Sequence, residues 1–121
     1  MPRDLRPELR ALVAALHLSL WPEAGWAAGR TLREATYDFA VTSYCGTLTP
    51  EVEAGYKREI ASLTESLNLD ADEAKAQRIA GWVAADQEWS NRGLGGFRAW
   101  CQDEAVKAAD WFLRIQSNGG S

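Results

Sequence analysis

The sequence predicts an all-α fold: a single compact domain of four to five amphipathic helices in bundle-like or orthogonal packing. Three observations carry that expectation. Proline and glycine divide the chain into five stretches, and each stretch repeats its apolar residues at the three- and four-residue spacing of one helix face. No stretch alternates apolar and polar residues for long, as a half-buried strand would. The 121 residues, 46% of them hydrophobic, suffice for one ordinary core, so a helical domain over residues 1–116 and a loose tail over 117–121 are expected.

The first stretch opens near Asp4, a suitable N-cap, with Pro7 in the tolerant first turn. It stacks Leu5, Leu9, Leu12, Val13, Leu16 and Leu20 on one face and ends before Trp21-Pro22. The second starts at Pro22, suited to a first helical position, and runs to Tyr44 or Cys45, where Gly46 supplies a left-handed stop. The third follows the cap and N1 proline of Thr49-Pro50 and carries Val52, Tyr56, Ile60, Leu63 and Leu67. The fourth opens with the capping box Asp70-x-x-Glu73 and ends between Asn91 and Gly93. The fifth follows Gly95-Gly96 and aligns Phe97, Cys101, Ala105, Ala108, Phe112 and Ile115. Short connections favour antiparallel packing of successive helices.

Composition narrows the function classes. No apolar run reaches the roughly 18 residues that span a bilayer, and the N-terminus lacks the layout of a secretory leader, so a cytoplasmic location is expected. Cys45 and Cys101 stand far apart without a zinc pattern and read as reduced, buried, non-catalytic thiols. The net charge is −4, and all of the excess lies in residues 47–75, where Glu51, Glu53, Glu59, Glu65, Asp70, Asp72 and Glu73 face only Lys57, Arg58 and Lys75. An acidic chain without a basic stripe argues against nucleic-acid binding, which draws its affinity from phosphate contacts.

No catalytic site, cofactor or metal site is expected. The single histidine, His17, sits at the margin of the first leucine stripe, and an acid–base role needs a positioned partner. The chain carries no GxSxG, HExxH or phosphate-loop motif. Asn68-x-Asp70-x-Asp72 begins like a calcium loop but has Glu73 where that loop needs glycine and Ile79 where it needs its bidentate glutamate.

The remaining signals concern binding. In the second stretch Trp26, Arg30, Arg33 and Tyr37 share a face, and tryptophan, tyrosine and arginine are the residue types enriched at interface hot spots. With Glu51, Glu53, Glu59 and Glu65 they form the expected partner-binding set: an acidic surface that meets a protein with a basic surface. In the fourth stretch Asp86 falls among Ile79, Trp82, Val83 and Trp89, which predicts a buried ion pair with Arg30 or Arg33, or a pocket walled by Trp82 and Trp89. The function expected is therefore a small intracellular binding protein of the inhibitor, immunity or anti-defence type. A self-associating assembly subunit is the alternative, and a small helical enzyme or ligand-binding domain with a tryptophan-lined pocket is the third reading.

Overall fold

A computed structural model of the chain describes residues 29–92 and 96–119. These residues form four helices and no strand: α1 (Leu32–Cys45), α2 (Pro50–Ser66), α3 (Ala71–Arg92) and α4 (Gly96–Gly119). The all-α, bundle-like fold read from the sequence is the one observed. The first predicted stretch, with His17 and its leucines, and Trp21 and Trp26 beyond it, lies outside the described residues. The last helix continues to Gly119, past the boundary expected at residue 116.

Local chemistry sets the helix ends. The Glu34 amide donates to Thr31 Oγ1 at 3.1 Å while the Thr31 amide donates to Glu34 Oε1 at 3.3 Å, a complete capping box. This box, preceded by Gly29 at a φ of 56°, starts α1 at Leu32 and corrects the expected start at Pro22. Thr49 caps α2 through the Val52 amide at 3.2 Å, with Pro50 as its first residue. Asp70 and Glu73 cap α3 as expected, and the Glu73 amide donating at 2.8 Å holds the Asp70 carboxyl below its ordinary range. Gly46, at a φ of 72°, closes α1 and donates its amide to the Thr42 carbonyl.

α1 is the central helix, in contact with each of the others. The closest pairings join helices two apart in the chain, α1 with α3 and α2 with α4, in place of the successive antiparallel neighbours expected from short loops. Both pairs run parallel: Leu32 lies beside Gln77 and Tyr44 beside Trp89, while Thr47 lies beside Ala105 and Glu59 beside Trp111. One apolar cluster gathers Leu32, Ala35, Leu63 and Ala74, with Ile60 and Leu69 packed on it. A second gathers Val41, Trp100 and Ala105, bordered by Tyr37, Tyr44, Trp89 and Phe97.

Glycine explains the pairings. A Cβ on Gly55 would overlap the Phe112 carbonyl group, and one on Gly81 would meet the Arg33 carbonyl oxygen at 2.5 Å and the Tyr37 amide nitrogen at 2.9 Å. The crossings are thus backbone against backbone, where neither side can turn away as a side chain could. In a lone helix Gly→Ala stabilises by about 1 kcal/mol. We expect Gly55→Ala to reverse that sign and cost about 2 kcal/mol net, because overpacking of a tight contact costs more than the propensity gain. Equilibrium urea unfolding checks it, and a Gly55→Ala protein as stable as the parent would contradict the close crossing.

The cysteines require a correction. Cys45 and Cys101 are not free thiols but a disulfide, with an S–S distance of 2.04 Å and Cα atoms 5.2 Å apart. The last residue of α1 and the second turn of α4 are brought together by the second apolar cluster, a proximity that 56 residues of sequence separation conceal.

Candidate functional site

The face of α1 that carries Arg30, Arg33 and Tyr37 borders a groove of about 330 Å³, completed by Glu34, Asp38 and Ala84. The structure therefore brings together three of the four residues expected on the aromatic-cationic face, and the fourth, Trp26, lies outside the described residues. Positions 30, 34 and 38 recur every four residues and 33 and 37 fill the flank, so one side of α1 and the segment just before it supply all of the lining except Ala84. Ala84 of α3 leaves the far wall low.

Arg30 anchors one end. Its guanidinium donates to Asp38 Oδ2 at 2.7 Å and to Glu59 Oε1 at 3.0 Å, and it lies 4.7 Å from the centroid of the Trp111 ring. The Trp111 indole N–H donates to the other Glu59 oxygen at 3.0 Å. Four residues from three helices and the chain before α1 are thereby tied in one polar cluster. Burial pushes the Glu59 carboxyl above its ordinary range, opposed by the Arg30 charge and by the hydrogen bonds from Trp111 and Arg30. Glu59 is thus not the exposed contact residue expected from the charge count: at 7% exposure it belongs to the core.

The other acids of α2 differ among themselves. Glu51 and Glu65 are exposed, whereas Glu53 is partly covered and pairs with Lys57 at 3.1 Å. The acidic surface is consequently thinner than seven acids against three bases implied.

Arg33 contrasts with Arg30. It is exposed beside the groove and has no ion-pair partner among the described residues. Next to it, the Tyr37 hydroxyl accepts from the Trp100 indole N–H at 3.4 Å, and its own proton has no acceptor among the described residues. Burial raises the Tyr37 phenol above its ordinary pKa, so it remains a donor at neutral pH. Beyond it, Arg92 bridges Glu88 at 2.9 Å and Glu104 at 3.6 Å, with its guanidinium 5.0 Å from the Trp100 centroid. Burial raises the Glu104 carboxyl, against the pull of Arg92.

The ion pair expected at Asp86 is not formed. Asp86 is exposed and accepts from the Tyr44 hydroxyl at 3.1 Å, with no ion pair to an arginine among the described residues. The face of α3 that meets α1 is built of small residues, Ala74, Gly81 and Ala85, because the close crossing admits nothing larger. Of the large apolar residues that seemed to mark the core face, Ile79 is 53% and Val83 49% exposed, and Trp82, 37% exposed, lies at the edge of the contact with α1. Trp82 and Trp89 both pack against aromatic residues of α1. Trp89 stacks on Tyr44 at 5.0 Å, and Trp82 meets Tyr44 and Phe39 edge-on at 6.1 Å.

Sequence reasoning missed Asp38 altogether and missed the pairing of Glu59, expected on the acidic surface, with Arg30. Asp38 is one turn beyond Glu34 and two beyond Arg30, a spacing that could have signalled the pair; nothing local signalled Glu59. Among the described residues no cluster of histidine, cysteine and carboxylate side chains could hold a metal ion, and no helix is long and apolar enough to cross a membrane. The chain matches no protein-family model, no curated protein and no solved structure.

Proposed function

We propose that this chain is a small helical protein-binding factor that acts by occupying a site on a macromolecular partner, in the manner of a stoichiometric inhibitor or immunity protein. The observation that supports this reading is the α1 groove, where the Arg33 guanidinium and the Tyr37 hydroxyl proton stand side by side, neither with a partner among the described residues. Two donors set side by side suit a carboxylate carried by the partner, and an arginine fork binds that group with defined geometry. Arg30 ties Asp38 and Glu59 together at the groove's end and keeps its wall rigid, which lowers the ordering cost of binding. Exposed Glu51 and Glu65 supply long-range attraction to a basic part of the same partner. The Cys45–Cys101 disulfide fits an oxidising compartment in place of the cytoplasmic location expected from the sequence.

Affinity capture with the full chain from its native host, compared between wild type and Arg33→Glu, tests this. Arg33 is exposed, so the substitution leaves the fold intact. The expected result is a partner held one-to-one by wild type and bound about thirtyfold more weakly by the variant, the size of a single arginine hot spot. Equal binding by Arg33→Glu and Tyr37→Phe, or no partner at all, would remove the groove from the reading.

A further inference from the structure

The outer side of α3 carries an apolar ridge. Ala76, Ile79 and Val83 follow one another at three- and four-residue spacing, on the side of the helix turned away from the buried Ala74, Gly81 and Ala85. Ile79 and Val83 are half-exposed, and Trp82 borders the ridge with its ring edge against Phe39 and Tyr44 of α1. The same spacing continues outward to Asp72 at one end and to Asp86 and Ser90 at the other. Alternating steps of four and three residues make the seam of a helix that pairs with another helix. Ala84, the residue that α3 gives to the α1 groove, projects about 100° round the helix from Val83, so the ridge is a separate surface.

We propose that this ridge pairs with the same ridge of a second copy of the chain, the two α3 helices running antiparallel about a two-fold axis at the level of Gly81. Charge selects both the partner and the direction. Exposed Lys75 and Asp86 stand at opposite ends of the apolar centre. With Ile79 of one copy against Val83 of the other, Lys75 of each copy comes beside Asp86 of the other, and the two-fold forms that pair twice. A parallel arrangement would instead set lysine against lysine and aspartate against aspartate, and like charges held together repel. The ridge is therefore complementary to itself in one direction, which is the condition for an isologous contact.

The site is also partly ordered in advance. The Tyr44 hydroxyl donates to Asp86 Oδ1 at 3.1 Å and fixes that carboxylate at the end of the ridge, which lowers the cost of immobilising it in a dimer. From Asp72 to Ser90 the seam is about 27 Å long, and only its middle is apolar. One helix pair of that size belongs with the small, reversible interfaces of about 1,200 Å² or less in total. The dimer accordingly forms at micromolar concentrations and dissociates on dilution.

Sedimentation equilibrium of the full chain at concentrations up to about 200 µM tests the pairing through charge reversal at the two exposed positions, where substitution spares the fold. Wild type should dimerise reversibly. Lys75→Glu and Asp86→Lys should each raise the dimer Kd by about tenfold or more, because each sets like charges together at both ends of the contact. The double variant Lys75→Glu/Asp86→Lys should recover the wild-type Kd, and an equimolar mixture of the two single variants should form the dimer that neither forms alone. A wild type that stays monomeric, single variants that dimerise as wild type does, or a double variant no tighter than the singles would overturn the proposal. Ile79→Arg should abolish the dimer, and a dimer that survives it lies on another face.

Discussion

Replacing Cys45 and Cys101 together with alanine should lower the free energy of unfolding by about 4 kcal/mol, as expected for opening a closed loop of 56 residues. The bond clamps the C-terminal end of α1 to the second turn of α4, and every residue of α2 and α3 lies inside the loop it closes. Its effect therefore falls mainly on the denatured chain, whose freedom it restricts, and little on native packing. Alanine suits the comparison because Val41, Trp100 and Ala105 already form the surrounding cluster. Urea unfolding of the oxidised parent and of the double variant, with thiol titration confirming that the parent holds no reactive cysteine, measures the difference. A loss below 1 kcal/mol would mean that the denatured chain keeps these helices together without the bond. Thiols that titrate in the native parent would show that the bond is not part of the folded protein.

The helix ends were the most legible part of the sequence, because each is decided by a few neighbouring residues. Thr49-Pro50, Asp70-x-x-Glu73 and Gly46 act locally, and each ends or starts a helix where it was expected to. Thr31-x-x-Glu34 obeys the same local chemistry and starts α1, where Pro22 was the expected start. The phase of α3 is a different case. Weighing residues by hydrophobicity places Ile79, Trp82 and Val83 inside, but a helix that crosses its neighbour at glycine buries Ala74, Gly81 and Ala85 and leaves Ile79 and Val83 outside. That choice depends on which helix lies opposite, which no window of a single sequence contains. The fate of Glu59 and of the two cysteines also rests on distant partners: Arg30 is 29 positions away and Cys101 is 56 from Cys45. The groove was legible because Arg30, Arg33 and Tyr37 share one side of one helix and the residue before it.

Arg30→Ala should cost about 3–5 kcal/mol, because it leaves a buried carboxylate without its cation. Glu59 has only 8% of its side chain exposed, and after the change it would keep a single donor, the Trp111 indole, while Asp38 stands nearby with the same charge. Arg30→Lys should recover only part of the loss, since one ammonium cannot reproduce a fork that meets Asp38 and Glu59 through separate nitrogens while lying over Trp111. The pH dependence identifies the cause. Burial already raises the Glu59 carboxyl in the parent, so the folded state holds that proton more tightly than the unfolded chain does. The cost of the ionised form is then fully present above the folded pKa and is relieved as pH falls through it. Removing Arg30 deletes the charge that opposes this rise, moving the folded pKa further up. The penalty of Arg30→Ala should accordingly be largest near neutral pH and shrink as the solution is acidified toward the ordinary carboxyl range. In a Glu59→Gln background, where no charge is left at that position and the Trp111 hydrogen bond is retained, the same Arg30→Ala change should cost less and lose most of its pH dependence. Urea unfolding of the four proteins across that range decides the matter: a penalty that stays constant with pH would show that Arg30 contributes through its packing on Trp111 and not through its charge.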